Sequence, residues 1–202
     1  MKKAAWILLA LLPLPLAGGG IKTLLGLHSS KYLFSSEVNS LNRQGATGLG
    51  FGAGYALDLA PKIQLEAHVL FGSKGAKAVL AFAADGKTEA TYRNTALSLP
   101  LFISYRFRPR ATPYVALGPE INLLLSHELS IPEYPEPFDL GDATQKLVFA
   151  FNVAAGYELP LGRWGLFTEI RYNRWVSDLL KGAEAAVNVE AVSFLIGGIY
   201  YL

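Results

Sequence analysis

Large apolar residues occupy every second position through much of this chain. Between Asn94 and Phe107, the residues Leu97, Leu99, Leu101, Ile103, Tyr105 and Phe107 share one parity, and Ala96, Ser98, Pro100, Phe102, Ser104 and Arg106 share the other. Side chains of a strand point alternately to its two faces, so this pattern predicts a strand with one apolar and one mixed face. The same alternation recurs over 25–30, 48–59, 63–72, 114–126, 147–159, 166–173 and 192–202. Eight strands are therefore expected. Pro100 sits inside the fourth and has no N–H to donate, which predicts a bulge or weakened pairing there.

The connections between these strands alternate in length. Short ones are expected around 60–62, 108–113 and 160–165, and long ones around 32–46, 73–93, 127–145 and 176–188. In the second long connection, 76–82 and 88–92 flank Asp85-Gly86, a hairpin-turn signal, so the third and fourth strands are expected to continue as a protruding hairpin. The third long connection, I-P-E-Y-P-E-P-F-D, is too rich in proline to extend a sheet and is expected to be an irregular loop. Strict alternation of short and long connections is the habit of an up-and-down barrel in an outer membrane.

The faces support that orientation. The apolar parity is nearly free of charge, and the other parity carries small or polar residues, including the row Gly48, Gly50, Gly52 and Gly54. In a membrane barrel the apolar face meets lipid and the polar face lines the interior. An eight-stranded interior is narrow and is filled by side chains, so no open aqueous channel is expected. The expected interior polar network comprises Glu66, His68, Arg106, Glu120, Glu158, Glu169 and Arg171, with Asn122, Asn152 and Asn173 beside them. Buried charges must be paired, so three of the four glutamates are expected to find partners among Arg106, Arg171, His68 and water. The glycine row is expected to make room for larger groups such as Arg106, Glu120 or Arg171.

Composition sharpens this reading. Hydrophobic residues make up 51% and charged residues 17%, well below the usual quarter, and there is no cysteine for a disulfide, a thiolate metal site or a lipid anchor. The chain opens with Met-Lys-Lys, an apolar run over 4–16, and small residues at 17–19. That is a secretory signal peptide, expected over 1–19, with the barrel domain over 20–202. The run is short of the ~20 residues a transmembrane helix needs. Removing 1–19 takes away Lys2 and Lys3, so 18 basic residues become 16 against 16 acidic ones. A nucleic-acid partner is not expected without a basic excess.

Several segments resemble the PorT-like outer-membrane β-barrel family, the outer membrane protein beta-barrel domain group. K-T-L-L-G-L-H-S-S is similar to its first strand, V-L-F-G-S-K-G-A to its third, L-S-L-P-L-F-I-S-Y-R-F to its proline-bearing fourth and T-P-Y-V-A-L-G-P-E-I-N to its fifth. A-A-G-Y-E-L and T-E-I-R-Y-N resemble its sixth and seventh. The resemblance implies an eight-stranded barrel without established catalytic residues. The chain departs from a common pattern by ending in Leu202 and not in an aromatic residue.

Candidate chemistry is sparse. His28 and His68 share the inward parity, so a pair across the barrel is conceivable, yet no histidine or carboxylate spacing fits a metal site. Ser126, His127, Asp139 and Asp142 gather near the expected outer rim, but Ser126 and His127 are adjacent and so point to opposite faces, which argues against a triad. G-L-G-F-G-A-G lacks the lysine and helix of a nucleotide loop and reads as barrel wall. Trp164, Tyr55, Tyr105, Tyr157, Tyr172 and Trp175 are expected to form aromatic girdles at the bilayer interfaces.

The expectation is an all-β, eight-stranded antiparallel transmembrane barrel in the bacterial outer membrane, with both termini in the periplasm. It is non-enzymatic, needs no cofactor, and acts through external loops or membrane partners. Its partners would be outer-membrane lipid and other envelope proteins. The alternatives are passage of a small solute or ion, a lipid-modifying barrel enzyme, and a soluble secreted ligand-binding barrel.

Overall fold

The computed structural model describes residues 18–34, 44–81, 87–108, 112–181 and 187–202. The signal peptide expected over 1–19 lies outside them except for Gly18 and Gly19, and so does the Asp85-Gly86 turn. The strands are β1 (Gly19–Phe34), β2 (Gln44–Ala60), β3 (Ile63–Ala81), β4 (Lys87–Arg106), β5 (Thr112–Ser130), β6 (Phe138–Asp139), β7 (Leu147–Leu161), β8 (Trp164–Trp175) and β9 (Val187–Tyr201), with one 3-10 turn at Gly141–Ala143.

Eight of these strands close into an antiparallel barrel. Each long strand pairs with its neighbour in sequence, β5 pairs with β7, and β1 pairs with β9 to seal the ring. The ninth strand, β6, is only a two-residue addition against Glu128 and Leu129 of β5. The proline-rich connection is thus irregular from 131 to 137 but ends in this short strand and the 3-10 turn, which its composition did not announce.

Alternating burial follows the sequence pattern. On β5 every odd residue from Pro113 to Leu125 is exposed and every even one from Thr112 to Leu124 is buried. Leu117 and Ile170 on the outer wall are 55% and 59% exposed, while Asn122 and Asn152 on the inner wall are fully buried. An isolated molecule in water would not leave such a continuous apolar wall uncovered. The outward run from Pro113 to Leu125 spans twelve steps, or about 30 Å along the barrel axis at the usual strand rise and tilt. That height fits the hydrocarbon layer of a bilayer.

The short connections, the start of β1 and the end of β9 lie at one end. Residues 61–62 and 162–163 suffice to turn between strands, with Gly162 in the left-handed region at φ 73°. Pro100 points inward and is buried. The β3–β4 ladder is interrupted where His68 and Val69 face Leu99 and Pro100, then resumes in the same register. Pro100 therefore weakens pairing without shifting it. The bulge in the β4–β5 ladder lies elsewhere: Leu125 of β5 is the extra residue between Leu124 and Ser126, which pair with Ala96 and Thr95.

Candidate functional site: the barrel interior

The interior is built from the even-numbered side of most strands and carries paired charge from one end to the other. Near the short turns, Arg106 Nη2 donates to both oxygens of Glu158 at 2.9 and 2.8 Å, and Tyr201 Oη donates to Oε1 at 2.8 Å. One layer further in, Lys22 Nζ lies 2.6 Å from Glu66 Oε2, and Ser104 Oγ donates to Oε1 at 2.8 Å. His68 Nε2 is 3.3 Å from the same carboxylate. The ammonium of Lys22 also sits 5.3 and 5.2 Å from the ring centres of Tyr114 and Phe167. A buried cation benefits from such faces because the ring quadrupole is negative there.

Glu169 forms the third pair. Arg171 Nε donates to Glu169 Oε1 at 2.8 Å and Tyr114 Oη donates to Oε2 at 2.9 Å. Arg171 Nη2 is 2.6 Å from Oε1 without the alignment of a hydrogen bond, and Nη1 has no hydrogen-bond partner among the described residues. The guanidinium carbon stacks 4.5 Å from the centre of the Phe102 ring. The fourth pair is Lys74 with Glu120, at 3.3 Å. Asn152 and Asn173 each donate to Glu120, at 3.1 and 3.2 Å, and Asn173 donates to Asn152 at 2.9 Å. Between the third and fourth pairs lies a cavity of about 30 Å³ lined by His28, Lys74, Glu120, Arg171 and Trp175, room for roughly two water molecules.

Apolar packing gathers at the end with the long connections. Trp175, Leu179, Val187, Val189, Val148 and Tyr32 form one buried cluster there. Leu179 comes from the segment after β8, held in place by Leu179 N–H donating to Val187 O at 2.8 Å and Gln145 N–H donating to Leu179 O at 2.8 Å. His127 lies in the same cap, beyond the apolar band. Its Nδ1 is 2.7 Å from Thr144 Oγ1 and its Nε2 is 3.3 Å from Tyr32 Oη. Burial pushes its pKa down to about 4, against a smaller opposing pull from Asp139. Both ring nitrogens are engaged, and neither meets Ser126 or a carboxylate. Among the described residues no group of three His, Cys, Asp or Glu side chains is placed to hold a metal ion.

A sequence profile of one family, described as the outer membrane protein beta-barrel domain, matches residues 20–181. The chain belongs to this family. As a member of the outer membrane protein beta-barrel domain family, it is a small integral barrel of the outer membrane, embedded in lipid. The PorT-like branch expected from its motifs is not singled out by the match, which supports the wider family alone. No curated protein sequence matches the chain. Among solved structures it is similar to the outer membrane protein OprG from Pseudomonas aeruginosa, at 11% identity and a TM-score of 0.53, over 94% of this chain and 99% of that one. It is also similar to Neisserial surface protein A, at 14% identity and a TM-score of 0.49, over 91% of this chain and 98% of that one. At such identities the likeness concerns the fold.

Within this family member, all seven charged or histidine residues assigned to the interior face inward. Glu66, His68, Glu120, Glu158, Glu169 and Arg171 are buried and Arg106 is half-buried. Two cations escaped the sequence reading. Lys22 precedes the alternating run that starts at residue 25, and Lys74 lies in the long connection expected over 73–93, although the family resemblance had put both on strands. Parity could have found both, since Lys22 shares it with Gly26 and His28, and Lys74 with Glu66 and His68. The glycine row makes room for other groups than expected: a Cβ on Gly50 would lie 2.2 Å from His28 Nε2, and one on Gly54 2.2 Å from His68 Cδ2. His28 and His68 do not pair with each other, because His28 Nδ1 meets Ser193 Oγ at 2.6 Å and His68 meets Glu66. Of the proposed girdle, Trp164, Tyr105, Tyr157 and Tyr172 face outward and Tyr55 is half-buried, but Trp175 is 1% exposed and points inward. It has the parity of Arg171 and Asn173, which places it inside.

Proposed function

We propose that this protein is a non-enzymatic barrel whose interior is a closed, charge-balanced plug, and that it acts through its outer segments or through partners in the envelope. The observation that carries this reading is the pairing of four interior glutamates with four interior cations: Glu66 with Lys22, Glu120 with Lys74, Glu158 with Arg106 and Glu169 with Arg171. Ion pairs buried this deeply are retained only where both partners are held, since an unpaired buried charge is strongly unfavourable. The apolar cap of Trp175 and Leu179 supports the same reading at the outer end. Solute passage through the barrel axis would require both to open.

The orientation we propose puts the short turns and both termini in the periplasm and the long connections outside, after the general habit of such barrels. Residues 1–19 serve as the export signal. The test is site-directed labelling with a membrane-impermeant thiol reagent on intact cells, with single cysteines at Asp178 or Gly162. Labelling at 178 and protection at 162 are expected; the reverse would overturn the orientation.

A further inference from the structure

Where the apolar band ends at the outer rim, three neighbouring strands bring charge onto the lipid-facing wall. Lys31 of β1 stands opposite Glu190 of β9, and Glu190 stands opposite Arg174 of β8. Lys31 Nζ is 3.3 Å from Glu190 Oε2, Arg174 Nη1 is 3.8 Å from Oε1, and Tyr172 Oη donates to Oε1 at 2.7 Å. Below them on the same outward positions come Leu27, Val192, Phe194 and Ile170, all about half exposed or more. The charges begin where the greasy wall stops.

Both cations remain available to a further anion. The side chains of Lys31 and Arg174 are 53% and 58% exposed, whereas that of Glu190 is 18% exposed. The carboxylate is the least exposed of the three groups and is already served by the tyrosine. It steadies two long side chains that would otherwise lose mobility on binding, and it leaves one positive charge in excess. A guanidinium presents a flat fork that matches phosphate oxygens, and a lysine adds a point charge beside it. Membrane-facing cations at this level meet lipid headgroups before they meet soluble partners.

We infer that Lys31 and Arg174, organised by Glu190 and Tyr172, form a seat for the phosphate of a phosphorylated glycolipid of the outer leaflet. This rests on the orientation proposed above, which places the rim outside. The seat belongs to the lipid-facing wall and is separate from the barrel interior.

The test is native mass spectrometry of the full-length mature barrel in detergent, titrated with bisphosphorylated lipid A or with the same lipid after removal of its phosphates. The wild-type barrel is expected to retain the phosphorylated form and to lose most retention of the dephosphorylated one. The doubly substituted barrel Lys31→Gln/Arg174→Gln should bind the phosphorylated lipid roughly 25-fold more weakly, about fivefold for each cation removed near an anionic headgroup. Equal retention of both lipid forms by the wild type, which needs no variant to fold, overturns the proposal, and so does unchanged affinity in the double variant. Because detergent exposes both ends, this experiment reads the seat alone; a failed orientation is seen only in the cell-labelling experiment.

Discussion

Replacing Lys22 with methionine removes one partner of the most enclosed ion pair in the barrel. Its side chain and that of Glu66 are 1% and 3% exposed at a separation of 2.6 Å. At an effective dielectric constant of 20 the gross attraction at that distance is about 6 kcal/mol, most of it offset by the desolvation of both groups. Removing one partner recovers none of that desolvation for the other, and the loss for such a buried pair is about 3–5 kcal/mol. Ser104 and His68 still contact Glu66, which places the expected loss near the lower bound, about 3 kcal/mol. The assay is urea unfolding of the barrel in lipid vesicles, followed by tryptophan fluorescence, for Lys22→Met, Glu66→Gln and the double variant. The two single losses should sum to clearly more than the loss of the double variant, because the double leaves no orphaned charge. Strict additivity, or a Lys22→Met barrel as stable as wild type, would refute the reasoning that the interior is held by mutual neutralisation.

Three further expectations follow from the same geometry. Leu101→Arg places a charge on a lipid-facing position that is 44% exposed, and it should lower stability in vesicles by about 2–4 kcal/mol, read from the urea midpoint. Gly50→Val drives a side chain into the imidazole of His28 and separates it from Ser193; overpacking of this kind should lower stability by about 1–3 kcal/mol, with the protein still showing heat-modifiable migration. Acid should loosen the outer cap. His127 titrates near 4 in the folded barrel against 6.5 for the free side chain, so the opened cap binds a proton more readily between those values. The cap is at full strength above about pH 6.5 and weakens as pH falls toward 4. Fluorescence of the buried Trp175 should shift to the red over that range in wild type and much less in His127→Gln.

Much of the fold was legible because a membrane barrel writes its two environments on alternate residues. Leu97 to Tyr105 kept a single parity on β4, and Leu117 and Ile121 did so on β5, because each faces lipid. The same rule located Glu66, Glu120, Glu158, Glu169, Arg106 and Arg171 inside. It did not reveal which groups meet, since contact across a barrel depends on register and stagger, and neither is encoded in one strand. Glu66 therefore found Lys22, forty-four residues away, a cation outside the expected network. Trp175 was misplaced because tryptophan's usual residence at an interface outweighed its own parity. The inward fold of Leu179 onto the cap carried no periodic signal, because Val176, Leu179 and Leu180 form no alternation.

The claim at the centre of this account is that the barrel axis is closed by paired charge and an apolar cap. The most direct measurement is the current through purified wild-type barrels in a planar lipid bilayer. The barrel is predicted to pass no steady current. Steady ohmic conductance would contradict a closed axis.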